Sequence, residues 1–221
     1  MDTTRKTTTF YKKLKATGLS KLMTKERNKA YLDFIKKHTN KKQKILDSAC
    51  GYGRLTIPLA KAKYNISGID LTSDFIKDAK IKAKEKNLKI DFKVGNMVKL
   101  PYKNESFDRI FCMWSSFSDI LKQKDQIMAL NEMHRVLKKN GLAAIDMPYY
   151  KKPATKGINI TQTSKKNSLL STYTVNGNSF ITCIHNKDSL KKIIQKSKLK
   201  KTQIKIENIG KRKRLVLYMY K

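Results

Sequence analysis

Cysteine is scarce in this 221-residue chain. Cys50, Cys112 and Cys183 lie far apart, are odd in number and form no C-x-x-C pair. A disulfide framework and a structural zinc site are excluded on that pattern, and no metal is expected. Isolated thiols of this kind suit a reducing, cytoplasmic compartment. Long apolar runs are also missing. The longest, 110–114 and 215–220, fall far short of the roughly 18 residues that a membrane span needs, so no membrane partner is expected. The first residues carry Asp2, Arg5 and Lys6 around no apolar core, so no secretory leader is expected. Proline (4) and glycine (9) are few and gather into no linker, and no repeat is visible. The chain therefore reads as one domain, 1–221. A domain this size buries about 70% of its unfolded surface and needs no covalent staple.

Acidic side chains are the other shortage. There are 17 against 50 basic ones, a formal net charge of +33. Such a balance ordinarily points to a polyanionic partner, here RNA. Yet the basic residues are 43 Lys and only 7 Arg, beside 21 Ile, 14 Asn, 11 Ala and 9 Gly. Lys, Ile and Asn have AT-rich codons, whereas Arg, Ala and Gly do not. A dedicated phosphate reader favours the bidentate fork of Arg. The composition thus favours drift over selection for nucleic acid, and both explanations stay open.

Hydrophobic periodicity then sets out the elements. Residues 10–38 read as helical. A strand is expected at 45–47, a helix at 54–62 and a strand at 66–70. A helix capped by Thr72 or Ser73 follows, with Phe75, Ile76, Ala79 and Ala83 inward. Strands at 90–94 and 107–113 precede an amphipathic helix, 123–139, that Asn140-Gly141 would stop. A fifth strand covers 142–147. Alternating strands and helices indicate an open, mostly parallel α/β sheet, whose ligands sit beyond the carboxyl ends of the strands. The last third differs. Segments 170–175 and 179–184 flank Asn176-Gly177-Asn178, a hairpin signal. Asn186 or Asp188 opens a short helix, and 202–208 with 214–220 form a second hairpin around Gly210.

The chemistry-bearing signals fall at the ends of the parallel strands. First is Ile45-Leu46-Asp47-Ser48-Ala49-Cys50-Gly51-Tyr52-Gly53-Arg54, running from strand through a glycine turn towards a helix. Thr56 stands where the pyrophosphate fingerprint G-x-G-x-x-G would need its third glycine. Instead, Asp47 precedes Gly51 by four residues. A carboxylate there repels phosphate and suits a ligand bearing an ammonium group. Second is Asp70, 17 residues after Gly53, where an acid can accept from both hydroxyls of a ribose. Gly95-Asn96-Met97, then Trp114-Ser115-Ser116-Phe117, then Glu132-Met133-His134-Arg135-Val136-Leu137 complete the series. His134 reads as a packing or surface residue rather than a catalyst.

In this order, across about residues 45–147, these motifs resemble the class I S-adenosylmethionine-dependent methyltransferases. The resemblance implies a three-layer Rossmann-like sandwich, with a mostly parallel seven-stranded sheet and an antiparallel last strand. It implies S-adenosyl-L-methionine as cofactor. Asp47, Ala49, Cys50, Gly51 and Gly53 match the motif that holds the methionine part, Ala49 standing where the first glycine is usual. Arg54 is placed to meet the cofactor carboxylate. Asp70 and Leu71 match the ribose and adenine contacts. Asn96 replaces the usual Asp, keeping an acceptor oxygen for the adenine amino group but losing the charge, and Met97 flanks the adenine. Met113 and Trp114 follow strand four along the cofactor. The segment 1–40 is expected to fold over the cofactor site, and 155–186 to be an inserted hairpin on the substrate side. Candidate acceptor-pocket residues are Tyr11, Ser115, Phe117, Tyr149 and His185, with Asp119 and Tyr150 beside them.

Methyl transfer from a sulfonium is a direct displacement. It asks a protein mainly to align the acceptor and exclude water, so no catalytic residue is singled out. The Asn/Asp-Pro-Pro-aromatic run of base-amino methyltransferases is absent, as is the Pro-Cys pair of cytosine-C5 enzymes. Trp-Ser-Ser-Phe resembles small-molecule N- or O-methyltransferases instead, and such an acceptor is the expected partner. Two alternatives stand beside it. One is an RNA methyltransferase using a basic patch at Lys211, Arg212, Lys213 and Arg214. The other is a non-catalytic cofactor-binding scaffold.

Overall fold

A computed structural model describes residues 3–21, 23–149, 169–175 and 178–221. Five strands, β1 (Lys44–Ser48), β2 (Asn65–Asp70), β3 (Phe92–Val94), β4 (Phe107–Cys112) and β5 (Leu137–Pro148), pair in parallel. The sheet is completed by β8 (Lys201–Ile209) and β9 (Arg212–Tyr220) in the order β3-β2-β1-β4-β5-β9-β8. The tight turn at Gly210 forces β9 antiparallel to β8, and β9 also runs against β5. A separate antiparallel hairpin consists of β6 (Leu169–Val175) and β7 (Asn178–Ile184). The expected seven-stranded mixed sheet is thus present.

Strand periodicity builds the two faces. Ile45 and Leu46 point to opposite sides, as do Ile110 with Phe111 and Ala144 with Ile145. On one side Leu46, Ile110 and Ile145 meet α5 (Gln123–Val136) and α6 (Lys187–Gln195). On the other, Ile45, Phe111 and Ala144 meet α2 (Lys25–Lys37) and α3 (Thr56–Lys61). Three layers follow from that alternation. The α4 helix (Ser73–Lys84) buries the four side chains expected of it, Phe75, Ile76, Ala79 and Ala83.

Some boundaries move. The helix expected over 10–38 is divided into α1 (Thr3–Lys21), itself kinked at Lys15 (φ 55), and α2, which Thr24 caps by accepting from Arg27 N–H. The helix expected to reach Asn140-Gly141 stops at Val136. Leu137 is drawn into the core at 0% exposure and pairs with Phe107, while Asn140 (φ 61) makes an irregularity within β5 rather than a helix cap. The third strand keeps only three residues. The hairpin turn at Asn176-Gly177 and most of the segment before β6, Tyr150 included, lie outside the described residues. Among the described residues no helix is long and apolar enough to cross a membrane, and no metal-binding cluster occurs.

Candidate active-site cleft

Beyond the carboxyl ends of β1, β2 and β4 lies an open cleft, with an empty volume of about 1310 Å³ including its solvent-filled mouth.

The turn after β1 forms one side. Ala49, Gly51 and Gly53 all take left-handed backbone, with φ of 66, 56 and 80. Only glycine does so freely, so Ala49 holds a conformation its Cβ disfavours. The turn is pinned from both sides: Cys50 N–H donates to Ile69 O at 2.9 Å, and Gly51 N–H to Asp70 Oδ2 at 2.8 Å. Asp70 Oδ1 accepts from Thr72 N–H at 2.8 Å. The Thr72 hydroxyl and Leu71 N–H also bond this carboxylate, which fixes the turn at the edge of the cleft. Asp47 is 3% exposed and accepts from Thr56 Oγ1 at 2.6 Å. Burial pushes its carboxyl up to about 6, because a charge there has lost water and the Thr56 bond and nearby Arg54 offset that only in part. Burial raises Asp70 as well, and it holds the Cys50 thiol far above its ordinary range, which makes a nucleophilic thiolate a poor reading.

Arg54 closes this side. Its guanidinium donates to Asn28 Oδ1 at 2.7 Å and lies 5.5 Å and 5.6 Å from the Tyr31 and Trp114 rings. Asn96 Oδ1 already accepts from Val98 N–H at 3.1 Å, so its amide also holds the local turn.

The opposite side is built by α1 and a 3-10 turn, Ser116–Asp119. Tyr11 OH donates to Asp119 Oδ2 at 2.7 Å, bridging 108 residues of sequence. Thr182 of β7 also hydrogen-bonds Asp119. Burial, opposed by these bonds and reinforced by Asp70, brings the Asp119 carboxyl to about 6. Phe10, Leu14 and Ala16 seat α1 on Phe75 of α4.

The structure brings together most of the residues expected from sequence. Asp47, Ala49, Cys50, Gly51, Arg54, Asp70, Leu71, Asn96, Met97, Met113, Trp114, Tyr11 and Asp119 all line the cleft. Five others lie outside it. Gly53 is behind the turn, where an added Cβ would meet Ile57 Cδ1 at 2.8 Å. The Ser115 hydroxyl is taken by Arg214 Nη2 at 2.5 Å. Phe117 is wholly buried in the core, and Tyr149 packs against the same cluster. His185 is 6% exposed, with its ring 5.6 Å from Phe117. Burial lowers it to about 4, which leaves a neutral imidazole. Sequence reasoning missed Thr8, Tyr52, Phe75 and Asp125 as lining residues. Tyr52 stood inside the first motif and was readable. Asp125 looks like any acid in the first turn of a helix.

The donor set fits the cofactor implied by the resemblance. S-adenosylmethionine carries a sulfonium, an ammonium and one carboxylate. Among the described residues the cleft offers Asp47, Asp70, Asp119 and Asp125 against one cation, Arg54.

Comparison with known proteins agrees. Residues 45–141 match the family model described as a methyltransferase domain. A putative methyltransferase of Geobacillus sp. (strain WCH70) is 28% identical over 132 residues, covering 58% of this chain and 53% of that protein. The ubiquinone biosynthesis O-methyltransferase of Pelagibacter ubique (strain HTCC1062) is 36% identical over 103 residues, covering 46% of this chain and 40% of that one. The chain spans about half the length, or less, of the curated relatives it matches. In fold, a crystal structure of an S-adenosylmethionine-dependent methyltransferase from Clostridium acetobutylicum ATCC 824 superposes with a TM-score of 0.68 at 18% identity, over 87% of this chain and 91% of that one. Residues 45–141 are thus similar to a methyltransferase domain, and the fold is that of the Clostridium acetobutylicum structure.

Proposed function

We propose that the protein transfers a methyl group from S-adenosylmethionine to a nitrogen or oxygen atom of a small-molecule acceptor. The observation that carries this reading is the two-sided cleft. A glycine turn with Asp47 and Asp70 forms one side, and Tyr11–Asp119 the other. When bound, the cofactor supplies a methyl group on a positively charged sulfur, already activated for displacement. Asp70, at the edge of the cleft, receives the ribose hydroxyls. Asp47, beside the Ala49–Cys50–Gly51 turn, receives the ammonium, and Arg54 the carboxylate. Leu71, Asn96 and Met97 flank the adenine, and Met113 and Trp114 wall the far side. The helical segment within 1–40 covers the site through Tyr11. The hairpin within 155–186 supports the acceptor side through Thr182, which steadies Asp119.

Asp119 is the group placed to take a proton from the acceptor. A carboxyl titrating near 6 is a usable base at neutral pH. The titratable and charged groups facing it are Tyr11 from α1, Asp70 from β2, Cys112 from β4 and Cys183 from β7.

The charge of the cleft favours a small acceptor over RNA. Among the described residues no lysine lines it, and its carboxylates repel phosphate. The patch expected at 211–214 is also weaker than its composition, because Arg214 is 6% exposed and paired with Asp146. The test is transfer of isotope-labelled methyl from S-adenosylmethionine to pooled small amines, phenols and hydroxy acids, and separately to total RNA. Label in a small-molecule pool alone supports the proposal. Label in RNA alone overturns it.

A further inference from the structure

A buried polar cluster lies behind the Trp114 wall. Beyond the end of β4, Trp114 and Ser115 both take left-handed backbone, with φ of 61 and 69. Neither is glycine, so the turn is disfavoured by itself and persists only because its surroundings over-determine it. Asp146 of β5, at 0% exposure, accepts the Trp114 N–H with Oδ1. Its Oδ2 accepts from Tyr31 OH at 2.9 Å and from Arg214 Nε at 2.6 Å. The other end of the Arg214 fork donates to Ser115 Oγ. Tyr31 comes from α2 and Arg214 from β9, so three separate elements converge on one two-residue turn. None of Asp146, Arg214 and Tyr31 lines the cleft, whereas Trp114 does.

A buried ion pair is an inefficient way to gain stability, since apolar residues of equal volume often do as well. Apolar residues cannot accept a backbone N–H, hold a serine hydroxyl and thereby fix a left-handed turn. We propose that Asp146, Arg214 and Tyr31 are positioning residues, a clamp that sets the Trp114–Ser115 turn and with it the wall of the cleft. The proposal rests on the methyltransferase reading only for the ligand used as probe.

Trp114 is the sole tryptophan of the chain, so its fluorescence reports the wall directly. Arg214→Lys keeps a charge beside Asp146 but loses the fork that reaches Ser115. In ligand-free protein, this variant is expected to raise acrylamide quenching of Trp114 about twofold while unfolding remains cooperative. Its affinity for S-adenosylhomocysteine, read by calorimetry, is expected to fall about tenfold. In a Trp114→Phe background the same change is expected to add little, because coupled residues are non-additive. Should Arg214→Lys fail to fold, Ser115→Ala and Tyr31→Phe carry the same measurements, each cutting one bond of the clamp. Unchanged quenching and affinity in folded variants would overturn the proposal, as would fully additive losses with Trp114→Phe. If wild-type protein binds no S-adenosylhomocysteine, the methyltransferase reading fails and the quenching comparison alone decides the clamp.

Discussion

Inside the cleft the charge balance of the chain is reversed. Among the described residues four aspartates and one arginine line it, and no lysine does. Outside, lysine fills the exposed faces of the helices and the edge strand β8, and among the described residues none is buried. An ammonium on a four-carbon stem costs little where its head stays in water. The same group costs several kcal/mol where water is excluded without a partner. A drift towards lysine is therefore tolerated over the surface and stops at the cleft. The net charge of +33 describes the outside of the molecule, and the site has the opposite sign.

The largest expected effect breaks the acidic side. Asp70→Ala removes the acceptor for Gly51 N–H and Thr72 N–H as well as the proposed ribose contact. Each bond to a charged group contributes about 1.5–3 kcal/mol, so cofactor affinity measured by calorimetry is expected to fall at least ~100-fold. Next, Asp119→Asn removes the proposed base. With the acceptor that a product screen returns, kcat is expected to fall about 10²- to 10⁴-fold, while S-adenosylhomocysteine affinity changes little.

The pH dependence sharpens the same comparison. Asp119 titrates above the ordinary aspartate value, so the wild-type rate is expected to drop as pH falls through about 6. The sign for stability is opposite. A carboxyl raised on folding binds its proton more tightly in the native state, so its contribution improves as pH falls from about 6 towards 4. Asp119→Asn is expected to reduce that slope in thermal unfolding measured across pH 4–8, Asp47 supplying the part that remains. Asp146→Ala strands Arg214 in the core and is expected to cost about 3–5 kcal/mol in denaturant unfolding. The smallest effect is expected at the surface. Lys211→Glu with Lys213→Glu should leave kcat/KM for a small acceptor within about twofold, and a larger loss would give the basic shell a role in catalysis.

Much of this was legible because the sheet imposes simple periods. Ile45-Leu46 and Ile110-Phe111 announce strands buried on both faces, and the aspartates and glycines that end them mark the cleft. The helix over 123–139 was misjudged at its end. Asn140-Gly141 is a good local stop, yet burial of Leu137 beside Phe107 outweighed it. Phe117 and His185 were misplaced for a related reason. An aromatic or imidazole after a strand reads equally well as wall or as core, and only the packing of β7 on the 116–119 turn settles it. The bonds from Tyr11 to Asp119 and from Arg214 to Asp146 span 108 and 68 residues. No local pattern encodes contacts at such separation, so the acceptor side and the clamp emerge only from the fold.

The most direct test is calorimetric titration of the full chain with S-adenosylhomocysteine, in low and high salt, beside Asp70→Ala. The account predicts one site per chain, little weakened by salt because Asp47 is buried and buried charges are screened less, and abolished by the substitution. No binding at millimolar ligand, or equal binding by Asp70→Ala, would contradict it.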